Sequence, residues 1–237
     1  THAAVIQPKG KVAIRDVFQT NPLAEINMPE KACCLAWSKD GSKLTVMDDI
    51  GNCLINGFPD LKPVVSFGSS GQRPTGLAWS PDGKSLAVAS GSRIHILDPE
   101  TGEIRAQNTR PELVFTCLAW AYDNMRLFAG TVDGKITVWN MKLESLLETV
   151  SAHDGRGNCL AVSAEGTRLA SGGEDNRAII WQSASLKQVA RASGYKTSVR
   201  ALAFASHPKN ILYFSTQNGL VMRWDMDPAS KMIGGTP

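Results

Sequence analysis

The phrase Leu-Ala-aromatic returns through this chain at an almost fixed interval. It stands in Cys34-Leu-Ala-Trp-Ser38, Gly76-Leu-Ala-Trp-Ser80 and Cys117-Leu-Ala-Trp-Ala121, and in the variants Cys159-Leu-Ala-Val-Ser163 and Ala201-Leu-Ala-Phe-Ala205. The leucines Leu35, Leu77, Leu118, Leu160 and Leu202 are separated by 42, 41, 42 and 42 residues. A period of roughly 40 residues marks a repeat architecture, in which each unit buries its apolar face only against its neighbours. It predicts that function resides in surfaces rather than in one catalytic pocket.

Each unit follows the same order. The Leu-Ala-aromatic strand runs into a turn, such as Lys39-Asp40-Gly41, Pro81-Asp82-Gly83, Tyr122-Asp123-Asn124, Ala164-Glu165-Gly166 or His207-Pro208-Lys209-Asn210. These are the residues that tight hairpins require. A second apolar strand follows, then a second turn such as Asp133-Gly134 or Asp175-Asn176, then a third strand ending near Leu97, Trp139, Trp181 or Trp224. Short strands with frequent turn signals predict an all-β chain. The strands are apolar at successive positions instead of alternating with polar residues. That pattern suits sheets covered on both faces, as in radially stacked blades.

These residues carry a resemblance to the WD-repeat β-propeller family. Leu77–Gly83, Leu169–Gly172 with Asp175 and Trp181, and Trp224-Asp225 reproduce its phrases. The resemblance runs over essentially the whole chain and implies four-stranded blades. At the place of the family's Gly-His pair only Ala152-His153 keeps the histidine, with Met28, Ser70, Pro111 and Tyr195 elsewhere. Leu97 and Asn56 replace the closing tryptophan in two units. The expected organisation is one propeller over 1–237. A partial unit covers 1–32, and units start near 33, 75, 116, 158 and 200. Val5-Ile6-Gln7, the turn Lys9-Gly10, Val12–Asp16 and Leu23–Ile26 read as three strands of a unit whose innermost strand is missing. The chain is expected to be part of a seven-bladed propeller, or an open one that a partner completes by donating strands.

His153, Ser171 and Asp175 are the residue types of a nucleophilic triad. Their spacing, with Trp181, instead matches the structural tetrad that the resemblance implies. No oxyanion hole or substrate cleft accompanies them, so no catalytic residue is assigned. The six tryptophans are expected to be core, because they share repeat positions. Cys34, Cys117 and Cys159 share one slot with Gly76 and Ala201, which favours a small buried residue over a ligand. The five cysteines form no Cys-x-x-Cys, and no disulfide framework or zinc site is expected. Gly83-Lys84-Ser85 resembles the end of a phosphate-binding loop, but Ala78 stands where that loop needs glycine. His2, His95 and His207 are expected at the surface or in turns. No cofactor and no metal is assigned.

One pattern points to a partner. Four residues before the anchor leucines lie Lys31, Arg73, Val114, Arg156 and Ser198, with Arg110, Lys196 and Arg200 nearby. The resemblance places these lead-in loops and the second turns, including Glu174, on one face of the disc. Basic side chains there would take an acidic or phosphorylated peptide through charge-assisted hydrogen bonds. Glu30, Glu112, Asp154 and Glu174 dilute that field. The expected function is a non-catalytic protein-interaction scaffold in a larger assembly. The alternatives are a nucleic-acid-associated propeller using the same loops and a propeller enzyme. Net charge is only +3, too small to argue by itself for nucleic acid. No apolar run approaches the ~18 residues of a membrane helix. The absence of disulfide patterns and of Asn-x-Ser/Thr fits the cytoplasm or nucleus.

Overall fold

The computed structural model describes residues 2–7, 10–16, 21–68, 72–206, 210–226 and the backbone of 233–234. Lys9, Ser70 and the stretch 207–209, to which turn and loop expectations attach, lie outside these. The described residues form six antiparallel sheets and no helix. The first has three strands, β1 (His2–Ile6), β2 (Val12–Asp16) and β3 (Ala24–Ile26). The second contains β4 (Ala32–Trp37), β5 (Lys43–Asp48), β6 (Cys53–Gly57) and β7 (Pro63–Phe67). The third contains β8 (Gly76–Trp79), β9 (Leu86–Ser90), β10 (Arg93–Leu97) and β11 (Ile104–Thr109). The fourth has β12 (Phe115–Trp120), β13 (Arg126–Thr131), β14 (Lys135–Asn140) and β15 (Leu146–Ser151). The fifth has β16 (Gly157–Val162), β17 (Arg168–Gly173), β18 (Ala178–Gln182) and β19 (Gln188–Ala192). The sixth has β20 (Val199–Phe204), β21 (Ile211–Thr216), β22 (Val221–Asp225) and β23 (Ile233–Gly234). In every sheet the strands pair in chain order, a six-bladed propeller.

The core is divided by seams. Val12, Ile14, Leu44 and Val46 join the first and second sheets. Met47, Ile55, Trp79 and Leu86 join the second and third. Ile94, Phe115, Trp120 and Trp139 hold the next seam, then Phe128, Val138, Ile179 and Trp181, then Ile180, Val199, Phe214 and Trp224. Second and third strands therefore have neighbours on both faces. This explains why their sequences do not alternate: β13 and β14 are buried almost throughout, whereas the outermost β15 is mostly exposed.

Polar stitches reinforce the seams. The ladders of β12 and β16 to their neighbours skip one residue near the start, Thr116 and Asn158. Such bulges turn a side chain out of the regular pleat. Thr116 Oγ1 donates to Gly157 O at 2.5 Å, and Asn158 Nδ2 to Val199 O at 2.9 Å. Thr75, just before β8, donates to Phe115 O at 2.8 Å. Each bond crosses to the following sheet, one repeat later.

Two expectations need correction. Trp37 is half-buried, set edge-on to Phe58 at 5.3 Å and facing the central channel. His95 is buried within β10, between Val88 and Gln107 of the adjacent strands. The first follows because Trp79 and Trp120, at the same repeat position, are covered by the preceding sheet's innermost strand, as in the bond of Trp120 Nε1 to Ala78 O, whereas the first sheet offers Trp37 no such strand among the described residues. The second follows because a third strand is covered on both faces.

Candidate functional site

The lead-in loops and second turns meet at one end of the sheets, because the first two strands of each blade are antiparallel. Backbone bonds fix them together. Asp49 N donates to Lys31 O at 3.0 Å, and Val132 N to Val114 O, Glu174 N to Arg156 O and Gln217 N to Ser198 O at 2.9 Å each. The residue four before the anchor leucine is thus strapped to the second turn in four of the sheets, and its side chain is carried to that end of the disc.

Contacts set the basic residues at separate points. At the seam of the second and third sheets, exposed Arg73 stands with Asp49 beside Cys33, whereas the side chain of exposed Lys31, whose carbonyl accepts from Asp49 N, lies against Gly10 in the turn before β2. Arg156 is strapped by its carbonyl to Glu174 of its own sheet, and its charge acts on Cys117 of the fourth. At the seam of the fifth and sixth sheets, Glu174 and Lys196 line a groove of about 540 Å³ with Ser198, Gln217 and Asn218. Arg200, at the bulge of β20, donates to Gln217 Oε1 at 3.0 Å. Arg110 stands apart, at the end of outermost strand β11. Its guanidinium lies 5.7 Å from the Trp139 ring centre and 3.9 Å from Glu112. Of the acidic residues, Glu174 lines the groove itself, while Glu112 pairs with Arg110 and Asp154 with Arg177.

The cysteines reach the same end of the disc from the preceding sheets. Burial pushes the Cys117 thiol up to about 11, against the pull of a hydrogen bond to Thr116 and of the Arg156 charge. Burial likewise raises Cys53, to about 12, and Cys159. Cys53 is buried and Cys117 and Cys159 are half-buried, and thiols held protonated in this way are poor nucleophiles.

His153, Ser171, Asp175 and Trp181 form one continuous hydrogen-bonded line. His153 Nδ1 lies 2.9 Å from Asp175 Oδ1, and Nε2 lies 2.8 Å from Ser171 Oγ. Trp181 Nε1 donates to Ser171 Oγ at 2.9 Å. Only one arrangement of hydrogens satisfies every atom: a neutral imidazole donates from Nδ1 to the carboxylate and accepts the Ser171 hydroxyl at Nε2. Burial holds His153 below its ordinary value, opposed by the Asp175 charge. The carboxylate also accepts Asp154 N at 3.2 Å and Arg177 N at 3.2 Å. Two glycines permit the arrangement. A Cβ on Gly173 would stand 2.5 Å from His153 Cγ, and one on Gly134, at φ +77, would stand 2.0 Å from His153 O. With the serine hydroxyl held by both an indole and an imidazole, and all three buried, the line locks the loop before β16 onto its own sheet.

At the opposite end of the channel lies a cavity of about 380 Å³, framed by Trp37, Trp79, Trp120, Tyr122 and Phe204. Lys39 Nζ sits 3.9 Å above the Tyr122 ring. The repeat predicted these aromatic positions, but not that they would open onto one mouth. Sequence reasoning also passed over Cys33, because its neighbourhood depends on a bulge that no spacing reveals.

Comparison with known proteins adds a further finding. Residues 60–123 match the family described as the anaphase-promoting complex subunit 4 WD40 domain. Residues 107–140 and 144–182 match the WD domain, G-beta repeat. Together the matches span about half of the chain. Similar proteins include NACHT domain- and WD repeat-containing protein 1 of Mus musculus, 25% identical over 141 residues, which are 58% of this chain and 9% of that protein. Protein groucho of Drosophila melanogaster is 34% identical over 104 residues, 43% of this chain and 14% of that protein. The intraflagellar transport protein 122 homolog of Danio rerio is 33% identical over 96 residues, 40% of this chain and 8% of that protein. The chain thus corresponds to a small part of the length of each relative.

Proposed function

We propose that this chain, which belongs to the WD-repeat β-propeller family, is a non-catalytic scaffold that holds an acidic or phosphorylated segment of a partner protein at its lead-in end. The observation that carries the reading is the groove between the fifth and sixth sheets, which Lys196 lines and whose Gln217 holds Arg200, with Arg156 strapped by its carbonyl to Glu174 at the groove's edge. Arg73 offers a second basic point at the seam of the second and third, and Lys31 a third beside Gly10 at the seam of the first and second. Arginine forks and lysine ammonium groups on fixed backbone give charge-assisted hydrogen bonds to carboxylate or phosphate. The four-member line at His153 is fully occupied by its own bonds, which supports a structural rather than catalytic role. Membership of a larger assembly, in the cytoplasm or nucleus, is part of the same reading. It is favoured by the similarity to an anaphase-promoting complex subunit and to an intraflagellar transport protein.

The test is binding of a glutamate- and phosphoserine-rich peptide set to the wild-type chain and to the triple variant Lys31→Glu, Arg73→Glu, Arg156→Glu. The expected outcome is loss of capture with unchanged unfolding behaviour. Undiminished capture rejects this end of the disc. Binding of RNA or DNA that weakens steeply with salt would favour the nucleic-acid reading instead.

A second reading concerns the first sheet. Its order is β1-β2-β3, and the inner, channel-side edge of β1 has no partner strand among the described residues. Such an edge can accept a donated strand. A partner contributing one would complete the first blade to four strands. Protection of the amides of His2–Ile6 from hydrogen exchange only in the partner's presence would support this; equal exchange with and without it would reject it.

A further inference from the structure

Neighbouring side chains in a regular strand point to opposite faces, which keeps consecutive cysteines apart. Strand β4 departs from that rule. Its ladder to β5 passes from Ala32 directly to Cys34, and the bulge leaves Cys33 Sγ 3.8 Å from Cys34 Sγ. The corresponding positions of the next three sheets hold Thr75, Thr116 and Asn158, each of which stitches its seam. The second sheet has a thiol there. Its seam contact falls to Cys34, whose Sγ lies 3.6 Å from Pro74 O. Both thiols are free and half-buried, and exposed Arg73 stands beside them.

We propose that Cys33 and Cys34 are a redox modification site, a vicinal dithiol that a low-molecular-weight disulfide such as glutathione disulfide closes into a Cys33–Cys34 bond. The two thiols have different tasks. Cys33 is the attacking group. A hydrogen bond to Cys34 and the Arg73 guanidinium hold its thiol below the ordinary value, against burial and the Asp49 charge. Cys34 is raised, by its bond to Cys33 and by burial, and stays protonated as the resolving group. The Cys33 thiolate attacks one sulfur of glutathione disulfide, the S–S bond breaks, and one glutathione leaves as a thiolate. The Cys34 sulfur then attacks Cys33 in the mixed disulfide and expels the second glutathione, which takes up the Cys34 proton. Two protein thiols lose two electrons, and one glutathione disulfide becomes two glutathiones.

Geometry sets the character of the bond. Consecutive Cα atoms are about 3.8 Å apart across a trans peptide, below the ~4.4–6.8 Å that unstrained disulfides span. The closed form is therefore strained and easily reduced, which is the property of a labile rather than a structural disulfide. Closure also draws Cys34 away from Pro74 and removes the thiolate beside Arg73, so it acts on the seam and on the basic group together.

The experiment treats the whole chain with glutathione disulfide, alkylates, and maps the cysteines by mass. The wild type is expected to lose two hydrogens and both alkyl labels in the peptide that holds Cys33 and Cys34, with full recovery on mild reduction. Cys34→Ser is expected to stop at a glutathione adduct on Cys33, and Cys33→Ser to form neither product. Phenylarsine oxide, which needs two adjacent thiols, is expected to bind the wild type and neither variant. The proposal is overturned if the wild type keeps a lasting glutathione adduct on Cys33, if both thiols remain alkylated as before, or if either variant retains phenylarsine oxide.

Discussion

Ser171 is the hinge of the buried line, and its replacement by alanine tests the structural role directly. The side chain is 1% exposed, and its Oγ serves two partners at 2.8 and 2.9 Å. Ser171→Ala strands Trp181 N–H and His153 Nε2 together. Alanine leaves almost no cavity, so desolvation decides the magnitude. A buried polar atom left without a partner costs about 1–3 kcal/mol. Neither ring can relax: Gly173 leaves no slack beside the imidazole, and Trp181 is packed between the fourth and fifth sheets. Two stranded atoms give a loss of about 3 kcal/mol, or about 6–12 °C in melting temperature for a chain of this size. Urea unfolding followed by tryptophan fluorescence measures it, with Ser185→Ala as the control. Ser185 is exposed, and its hydroxyl bonds Gln182 Oε1 at 3.0 Å, so its loss stays within about 0.5 kcal/mol. Trp181→Phe should cost less in the Ser171→Ala background than in the wild type, since the indole N–H has already lost its acceptor. A Ser171→Ala loss no larger than the control's would refute the reasoning.

Three further outcomes follow from the same contacts. Burial lowers His153 from its ordinary 6.5, so the unfolded chain takes up this proton at higher pH than the folded one. Stability therefore falls as pH drops from about 6.5 towards the folded value and levels off below it. His153→Gln should reduce that slope without abolishing it, because buried His95 is lowered too; an unchanged slope in a pH series of denaturation curves counts against the neutral imidazole. Thr116→Val removes the stitch to Gly157 O and should cost about 1 kcal/mol; no change in thermal unfolding would deny the stitch its role. Asn56 is 2% exposed, and its Nδ2 has no partner among the described residues. Asn56→Leu, the residue at the corresponding Leu97, should stabilise by about 1 kcal/mol, and a loss of stability would show that the amide is satisfied after all.

Much of the fold was legible because the repeat reports burial twice, once in its period and once in its doubly apolar strands. Leu35, Leu77, Leu118, Leu160 and Leu202 located the innermost strands, and the loop and turn residues placed His153 opposite Ser171 and Asp175. What stayed hidden depends on displacements of a single residue. The bulges that aim Thr116, Asn158 and Cys33 leave no mark in composition or spacing. Trp37 and Trp79 share a repeat position, yet Trp37 is half-buried at the channel and Trp79 fills the seam between the second and third sheets. Arg110 and Arg156 both precede an inner strand, but Arg110 is held at the end of β11 beside Trp139, while Arg156 is strapped to the second turn of its own sheet.

The scaffold reading is tested most directly by hydrogen exchange on the chain alone and with a bound acidic phosphopeptide. Protection is expected at the lead-in loops and second turns around Arg73, Arg156, Glu174, Lys196 and Arg200, with the opposite mouth at Trp37 and Tyr122 unchanged. Protection confined to that opposite mouth, or to outer strands such as β15, would contradict it.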